Sequence, residues 1–243
     1  GDLRGVGVGI PGRVDHPTGV VHTAVNLGLG RLPLGERLGE LIGVEVRVDN
    51  DVKATLLGVA HRLDAHDADL SYVNFGTGVA AATLAGGRLV RGSDNLAGEI
   101  GHIPVRPGVG RCACGQDGCI EVLAGGAQIT RRLSRLTPAA SLSTLMAAAS
   151  DGHREAAAVA DLAASGIADA VQLVVLAQGS DRVVIGGGVI QTAPELADLA
   201  RQLLVGRARG SAFLASLDLP GRLVVAPPEQ PLAAVGAALL VRC

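Results

Sequence analysis

Three of the four cysteines lie close together in the segment GEIGHIPVRPGVGRCACGQDGCIE, which spans residues 98–121. Cys112, Cys114 and Cys119 offer three thiolates, and His102 upstream offers an imidazole nitrogen. One nitrogen and three sulfur atoms form a common ligand set for a structural, tetrahedral Zn²⁺ ion, and the glycines between residues 108 and 118 allow sharp turns around it. The alternative is a loop of free thiols with a surface histidine. We predict a zinc site.

Carboxylates occupy two further places where chemistry is possible. Asn50 and Asp51 stand where a predicted strand gives way to a predicted helix. An aspartate there can act as a general base, or it can cap the helix beside a structural asparagine, and the residues alone leave both interpretations open. Glu99 and Glu121 flank the cysteine segment, where each carboxylate suits either the hydroxyls of a polyol or a surface salt bridge.

Two glycine motifs predict tight turns that approach a ligand. Gly76-Thr77-Gly78 lies in a predicted hairpin turn, whose backbone N–H groups either bind a phosphate or simply form the turn. Gly186-Gly187-Gly188 ends a predicted strand and opens a helix, which suits close passage of an adenosine moiety. A dinucleotide fingerprint fits poorly, because no G-x-G-x-x-G with a later acidic partner occurs there.

The elements that carry these residues alternate between strand and helix. PLGERLGELIG predicts a short helix that ends at Gly43, VEVRVDN predicts a strand that leads into a helix at Asp51, and residues 154–178 predict a long alanine-rich helix. DLSYVNF, DRVVIG and GRLVVAP predict further strands, and Pro194 predicts the first turn of another helix. This alternation predicts an α/β protein, with a domain boundary near residue 70, where a helix gives way to a β-meander.

Composition argues against several classes of function. The chain has 243 residues, a net charge of −2 and no extended basic face, which argues against nucleic-acid binding. Hydrophobic residues make up 48% of the chain, enough for a globular core, but no uncharged apolar stretch is long enough for a membrane span and no signal peptide is apparent. Cysteines spaced this closely bridge poorly, which favours a reduced, cytoplasmic protein.

GEIGH followed by CACGQDGCIE closely resembles the signature of the ROK family, which comprises sugar kinases, sugar-sensing repressors and unassigned relatives. GVGIPGRVD, NLG, VDNDV, NFGTG, LAGGRLVRG and VIGGGV are similar to further landmarks of that family and occur in the family's order. The resemblance implies a two-domain actin-like, ribonuclease-H-like fold with the sugar in the cleft between the domains. Residues 1–69 would be a remnant of the first domain, residues 70–229 would form the second, and the last helix, 230–243, would return to the first.

The resemblance also implies roles for individual residues. Asp51 would be the base that takes the proton of the attacking hydroxyl, and Zn²⁺ would be a structural ion that orients His102. Gly76 to Gly78 would bind nucleotide phosphate, and ATP with Mg²⁺ would be the co-substrate. The implied sugar-binding residues are Gly12, Arg13, Asn26, Asn50, Asp51, Glu99, His102 and Glu121.

The chain departs from the kinase pattern in three places. It starts after the Asp-x-Gly-x-Thr phosphate motif of ROK kinases, and after any DNA-binding segment that ROK repressors carry. Ala80, Ala81 and Ala82 stand where the family usually has further glycines. Lys53 stands where kinases commonly have Asn, and a cation there would lower the pKa of Asp51 and make it a poorer base.

On balance we predict an ATP-dependent kinase of a hexose or N-acetylhexosamine, similar to a glucokinase. The alternative is the sugar-binding effector domain of a ROK repressor that lacks its DNA-binding segment. Both share the sugar and zinc residues, so the sequence upstream of Gly1 would discriminate between them. The resemblance further implies a homodimer or tetramer.

Overall fold

The computed structural model describes residues 3–24, 27–136, 141–227 and 231–242. The chain divides into two compact units. Unit 1 comprises Gly1–Tyr72, Ala81–Gly98 and Glu229–Cys243, and unit 2 comprises Val73–Ala80 and Glu99–Pro228. The domain limits drawn from the sequence stay a prediction beside this division, which places residues 81–98 in unit 1.

Unit 1 begins with short strands followed by two helices. In chain order these are β1 (Gly5–Ile10), β2 (Arg13–Asp15), β3 (Val20–Thr23), β4 (Leu32–Pro33), α1 (Leu34–Ile42), β5 (Glu45–Asn50) and α2 (Asp51–Arg62). β1 pairs in parallel with β5, so that Ile10 lies opposite Asn50. β2, β3 and β4 form a separate antiparallel sheet. The ends of β1 and β5 therefore bring the predicted Asn50-Asp51 site to the edge of a parallel strand pair.

A five-stranded sheet follows, and most of the helices belong to unit 2. The remaining elements are β6 (Leu70–Phe75), β7 (Val79–Ala85), β8 (Arg88–Leu89), α3 (Ile120–Ala124), α4 (Gly126–Leu133), α5 (Leu142–Ser150), α6 (Arg154–Gln178), β9 (Arg182–Gly186), α7 (Gly188–Thr192), α8 (Glu195–Arg209), α9 (Ala212–Ser216), α10 (Leu219–Arg222), β10 (Leu223–Val225) and α11 (Leu232–Leu239). The strand order is β10-β9-β6-β7-β8, with β10 parallel to β9 and β8 antiparallel to β7.

The helix that bears Asp51 packs closely against the last helix of the chain. A Cβ atom on Gly58 of α2 would overlap the carbonyl oxygen of Leu232, and one on Gly236 of α11 would overlap the carbonyl oxygen of Ala54. The two helices of unit 1 thus approach backbone to backbone, which only glycine at both crossing points allows. Because α2 begins at Asp51, this contact fixes the position of the helix whose first residue is the predicted base.

α6 is the core helix of unit 2. By length and composition it is apolar enough to cross a membrane, but 67% of its most apolar window is buried inside the protein. The buried side chains are small or β-branched, among them Ala163, Ala164, Ile167 and Val171. α6 ends at Gly179, whose left-handed conformation (φ 68°) forms the C-cap. α6 is therefore apolar because it packs inside the protein. Aromatic residues make up only 1% of the chain, so aliphatic side chains such as these form the core.

Most of the predicted elements are confirmed, including α1 up to Gly43, the transition from β5 to α2 at Asp51, and α6 over residues 154–178. The helix predicted around Pro194 is preceded by an additional short helix, α7. Proline disfavours helical geometry in the residue before it, and Ala193 is accordingly outside the helical region, at φ −135° and ψ 71°. The short helices between residues 120 and 150 were not predicted.

Candidate functional site

His102, Cys112 and Cys114 form one cluster in unit 2, and Cys119 adjoins it through Cys114. His102 ends the 3-10 turn Ile100–His102, and its Nδ1 lies 3.6 Å from Cys112 Sγ. Cys114 Sγ lies 3.7 Å from Cys119 Sγ, and the ligand atoms of His102, Cys112 and Cys114 all lie within 4.8 Å of one another. The two shorter separations match the edges of a tetrahedron of ligands around Zn²⁺, which are about 3.6 Å for N···S and about 3.8 Å for S···S.

Short backbone contacts hold these groups together. Cys119 pairs with Pro104 in an isolated β-bridge, and Cys119 is also the N-cap residue of α3. The N–H of Cys112 donates to the carbonyl oxygen of Gln116 at 2.8 Å, and the side-chain amide of Gln116 donates to the carbonyl oxygen of His102 at 2.8 Å. Gln116 therefore connects His102 to Cys112, although the sequence pattern of cysteines gave no signal for it.

The three thiols differ in how readily they lose a proton. Hydrogen bonds from the backbone and side-chain amides of Gln116 lower the pKa of Cys114 to about 6. Burial raises the pKa of Cys119 to about 12 and also raises the pKa of Cys112. A cation that binds here would meet one thiolate at neutral pH and displace the protons of the other two thiols. The donor set and its spacing fit Zn²⁺, and the ion itself stays a prediction.

Glu121 links α3 to the predicted phosphate turn. It follows Cys119 by two residues, and its Oε2 accepts the backbone N–H of Val79 at 3.1 Å. A side chain at Gly78 would overlap the same carboxylate oxygen. The structure thus places the carboxylate predicted to bind sugar directly against the turn predicted to bind phosphate, within unit 2. Glu99, the other predicted carboxylate, is exposed and immediately precedes the 3-10 turn of His102.

The predicted phosphate turn is anchored by the start of α4. Gly126 N donates to the carbonyl oxygen of Gly76 at 2.8 Å, and Ala127 N donates to that of Thr77 at 3.0 Å. The N–H of Gly76 donates to the carbonyl oxygen of Gly78 at 3.0 Å. A phosphate at this turn would therefore have to be bound through the N–H groups of Thr77 and Gly78.

The two predicted nucleotide motifs meet at the end of β6. Gly187 has a left-handed φ of 93°, and a Cβ atom there would lie 2.6 Å from both Asn74 Oδ1 and the carbonyl oxygen of Phe75. Gly186 ends β9 and Gly188 begins α7, so this glycine run turns directly over β6. Sequence reasoning overlooked Asn74, whose signal is a polar side chain in the otherwise apolar end of the strand LSYVNF.

An open cavity of about 450 Å³ lies beside the helix that Gly188 starts. α5, α7 and α8 line it, with Met146, Thr192 and Gln202 among the contributing side chains. The lining combines apolar and hydrogen-bonding groups, which suits a planar organic ligand with polar edges.

In unit 1, Asn50 caps the helix that begins at Asp51. Asn50 Oδ1 accepts the N–H groups of Val52 and Lys53 at 3.0 and 3.2 Å, and its Nδ2 donates to the carbonyl oxygen of Gly12 at 3.2 Å. Asp51 Oδ1 accepts the N–H of Val52 at 3.0 Å. The helix cap is therefore Asn50 and not the aspartate, and the role of Asp51 as a general base stays a prediction.

The pKa of Asp51 is raised by burial, against the opposing effects of the N–H groups of Val52 and Asp51 and, more weakly, of the Lys53 charge. The predicted lowering of the Asp51 pKa by the Lys53 charge is confirmed in direction, but burial outweighs it and the net shift of the pKa is upward. Lys53 is 3% exposed, and its Nζ donates to the carbonyl oxygens of Asn95 and Ala97 at 2.9 Å each. Desolvation outweighs a cation whose hydrogen bonds point to these carbonyls.

The remaining predicted sugar residues are in part described. Gly12 adopts a φ of 107°, and a side chain there would overlap the carbonyl oxygen of Thr23. Arg13 begins β2 opposite Thr23. Asn26 lies outside the described residues. Gly12 and Asn50 are thus in contact within unit 1, and the sugar-binding roles of these residues stay predictions.

The model of the ROK family matches residues 1–243. The chain belongs to the ROK family. Among curated relatives of this ROK protein, it is 39% identical over 132 residues to the glucokinase of Halalkalibacterium halodurans, which covers 54% of the chain and 40% of that protein. It is 28% identical over 257 residues to the glucokinase of Thermotoga maritima, which covers 98% of the chain and 78% of that protein.

Solved structures of ROK proteins superpose on almost the whole chain. The ROK hexokinase from Thermus thermophilus is 28% identical with a TM-score of 0.77, and the match covers 96% of this chain and 77% of that one. A ROK glucokinase from Streptomyces griseus in complex with glucose and AMPPNP is 27% identical with a TM-score of 0.76, covering 99% and 82%. A ROK transcriptional regulator, a homolog of the E. coli MLC protein, is 26% identical with a TM-score of 0.75, covering 96% and 60%. The predicted actin-like fold class is thereby confirmed.

Proposed function

We propose that this ROK protein is an ATP-dependent sugar kinase that phosphorylates a hydroxyl of a hexose or an N-acetylhexosamine. The observation that carries the proposal is the Asn50-Asp51 pair at the start of α2, where Asn50 is held by Gly12 and Asp51 has a raised pKa. A general base works best when its pKa lies nearer the working pH than that of an ordinary carboxyl. Relatives named glucokinase and N-acetylmannosamine kinase support the reaction class.

In the proposed reaction, the Asp51 carboxylate accepts the proton of the attacking sugar hydroxyl. The hydroxyl oxygen forms a bond to the γ-phosphorus of ATP as the bond between that phosphorus and the ADP oxygen breaks, so the products are a sugar phosphate, ADP and a proton. Catalysis in this class depends mainly on positioning and electrostatics. The carbonyl of Gly12 and the amide of Asn50 are already in contact, so the loop before β2 would be ordered before sugar arrives.

The zinc cluster would support the sugar-binding groups of unit 2. His102 Nδ1 faces Cys112, so in this proposal Nδ1 would bind the metal and Nε2 would be left for a sugar hydroxyl. Cys119 caps α3, and Glu121 lies in the first turn of that helix. Bound Zn²⁺ would supply rigidity, by fixing the ring of His102 and the start of α3. Glu99, His102 and Glu121 would then face the sugar.

ATP would bind through the two glycine motifs. Thr77 and Gly78 would donate N–H groups to phosphate oxygens, Gly187 would let the backbone pass close to the nucleotide, and the cavity beside α7 would take the adenosine moiety. The AMPPNP bound to the Streptomyces griseus glucokinase supports ATP, with Mg²⁺, as the co-substrate. The three alanines that follow the turn belong to β7, where Ala81 and Ala82 are buried and Ala80 is half-buried.

The second candidate is a sugar-binding effector domain of a ROK repressor. It is favoured by the match to the ROK transcriptional regulator and by 35% identity over 120 residues to a putative xylose repressor of Caldicellulosiruptor. This function would use the same sugar and zinc residues without phosphoryl transfer. In either case we propose a cytoplasmic homo-oligomer, and nucleic acid would be a partner only of the repressor.

A coupled ADP-release assay on the full-length protein tests the proposal. The panel contains glucose, mannose, N-acetylglucosamine and N-acetylmannosamine, with thermal shift by each sugar measured in parallel. We expect turnover with at least one sugar, loss of turnover in Asp51→Ala with sugar binding retained, and normal turnover in the control Asp161→Asn, which changes an exposed residue of α6. Sugar-dependent thermal shifts without turnover for any sugar would instead establish the effector domain.

A further inference from the structure

The loop between β8 and the 3-10 turn of His102 contains two consecutive residues in left-handed conformation. Asp94 has φ 54° and Asn95 has φ 60°. Aspartate and asparagine tolerate this region better than other non-glycine residues, but two in succession are uncommon and store strain. Such a conformation persists only when surrounding contacts hold it, and the contacts of Asn95 show what holds it here.

Asn95 contacts three elements of unit 1 through its side chain and backbone. Its Nδ2 donates to the carbonyl oxygen of Val14 at 2.9 Å and to Asp49 Oδ1 at 3.1 Å. Both partners are acceptors, so the amide group must present its nitrogen to them. The carbonyl oxygen of Asn95 accepts Lys53 Nζ at 2.9 Å. Asn95 therefore joins β2, β5 and α2.

Asp49 connects Asn95 to the backbone just before the proposed base, Asp51. Its side chain is fully buried, and the same Oδ1 that binds Asn95 also accepts the backbone N–H of Asn50 at 2.8 Å. The other oxygen, Oδ2, accepts Arg91 Nη1 at 2.5 Å, which provides the opposite charge that a buried carboxylate needs. One carboxylate oxygen thus fixes both the amide of Asn95 and the peptide plane that enters Asn50.

Lys53 makes a second connection to the same helix end. It lies two residues after Asp51 and binds the carbonyl oxygens of Asn95 and Ala97. Its own N–H donates to Asn50 Oδ1 at 3.2 Å. The loop of Asn95 is therefore attached on both sides of the Asn50-Asp51 pair, through Asp49 before it and through Lys53 after it.

We propose that Asn95 is a positioning residue for Asn50 and Asp51, acting through Asp49 and Lys53. Asn95 would not itself touch the sugar. It would set the orientation of the Asn50 peptide, and with it the direction of the Asp51 carboxylate. The catalytic consequence rests on the proposed function, whereas the structural coupling does not, so the two are measured separately.

The chain offers a matched pair of variants for the test. Asn95→Gly keeps the left-handed backbone without strain and removes the two bonds of the side-chain amide. Asp94→Gly makes the same change at the neighbouring left-handed residue, whose exposed side chain has no hydrogen bond within the part of the chain described. Any effect of added loop flexibility is common to both variants, so the difference between them reports the Asn95 amide.

The first readout is amide hydrogen exchange of the full-length protein, over the peptide that spans residues 47–56. We expect exchange there to be roughly tenfold faster in Asn95→Gly than in Asp94→Gly. The second readout is the coupled ADP-release assay, where we expect kcat to fall about tenfold in Asn95→Gly, with the KM for ATP unchanged and kcat of Asp94→Gly near that of the wild type.

Equal exchange over residues 47–56 in the two variants would overturn the inference. Equal kcat in two active variants would overturn it as well, since positioning without a catalytic effect is not what we propose. A wild-type protein with no turnover on any sugar would refute the proposed function instead, and the exchange comparison would still decide whether Asn95 positions Asn50 and Asp51.

Discussion

The carboxylate of Glu121 accepts the backbone N–H of Val79 at 3.1 Å, and Gly78 has no side chain to displace it. This hydrogen bond joins the first turn of α3, directly after the predicted zinc ligand Cys119, to the glycine turn that begins β7. A single side chain thus connects the two parts of unit 2 that the sugar and the nucleotide of a kinase would occupy. Its charge and its hydrogen bond can be separated by mutation.

Glu121→Gln removes the charge and keeps an oxygen that can accept from Val79. We expect the variant to fold with a thermal midpoint close to that of the wild type, because a carboxamide oxygen still satisfies the N–H. We expect sugar affinity to fall by about tenfold, because bonds from sugar hydroxyls to a charged acceptor are stronger than bonds to a neutral one. Isothermal titration with glucose and N-acetylmannosamine measures the affinity.

The matched control for this substitution is Glu155→Gln, which changes an exposed glutamate paired with His153. It should leave sugar affinity unchanged. Glu121→Ala should lower stability by on the order of 1 to 3 kcal/mol, since the N–H of Val79 then loses its acceptor. Unchanged sugar affinity in Glu121→Gln would show that the carboxylate serves only the turn.

Metal content tests the thiol–imidazole cluster. We expect the purified protein to contain about one Zn²⁺ per chain, and Cys114→Ser and Cys119→Ser each to lower that content strongly, because four ligands close a structural site. Cys243→Ser is the control, since the fourth cysteine lies outside the described residues and outside the ligand set. Replacement by Co²⁺ should give the absorption spectrum of a tetrahedral, thiolate-ligated ion.

Removal of the metal by a chelator should weaken sugar binding and lower the thermal midpoint together, because His102 and the start of α3 lose their common anchor. A protein that binds no Zn²⁺ or Co²⁺ and keeps its sugar affinity would refute the site. Metal bound equally by the wild type and by both cysteine variants would show that the ion lies elsewhere.

The sequence predicts local structure well where one periodic segment decides it. The alanine pattern of α6 and the Gly43 stop of α1 were readable because helices form from neighbouring residues. The spacing of His102 and the cysteines suggested their convergence for a similar reason, since they lie within one short segment. The family resemblance supplied the roles that are proposed for Asp51 and Glu121.

Long-range partners could not be predicted in the same way. The contact of Lys53 with Asn95 joins residues 42 positions apart, and so does that of Glu121 with Val79. Nothing in the spacing of these residues indicates that they meet, because the meeting depends on how the sheets and helices pack. Lys53 does lower the pKa of Asp51 as predicted, but neither the burial that outweighs it nor the carbonyls that Lys53 binds could be inferred from neighbouring residues.

The raised pKa of Asp51 has consequences for both activity and stability. The proposed base must be ionised, so kcat/KM should fall as pH decreases through a pKa that lies above the ordinary value of 3.8. The contribution of Asp51 to the stability of the fold changes with pH in the opposite direction. A carboxyl whose pKa is raised on folding favours the folded state when protonated, and this contribution is lost as pH rises through the folded pKa. We therefore expect Asp51→Asn to be inactive and, near neutral pH, more stable than the wild type.

Thermal midpoints of Asp51→Asn and the wild type over a series of pH values measure this effect. The stability gain should be present above the folded pKa of Asp51 and should disappear below the ordinary pKa of an aspartate. Asp161→Asn, at an exposed position of α6, should show no such pH-dependent gain. A lower midpoint for Asp51→Asn at every pH would mean that the charge of Asp51 stabilises the start of α2 more than its burial costs.

The crossing of α2 and α11 provides a stability test that reaches the proposed active site. A Cβ atom on Gly58 would overlap the carbonyl oxygen of Leu232, and backbone cannot move aside as a flexible side chain can. We expect Gly58→Ala to lower the free energy of unfolding by about 1 to 3 kcal/mol, because the helices must separate.

The control is Gly206→Ala in α8, where nothing lies within 4 Å of the new atom. There the gain in helix propensity should stabilise the protein by up to about 1 kcal/mol. Urea unfolding of both variants gives the two values. Because α2 begins at Asp51, Gly58→Ala should also lower kcat. Equal free energies of unfolding for the two variants would show that α11 does not pack on α2 as described.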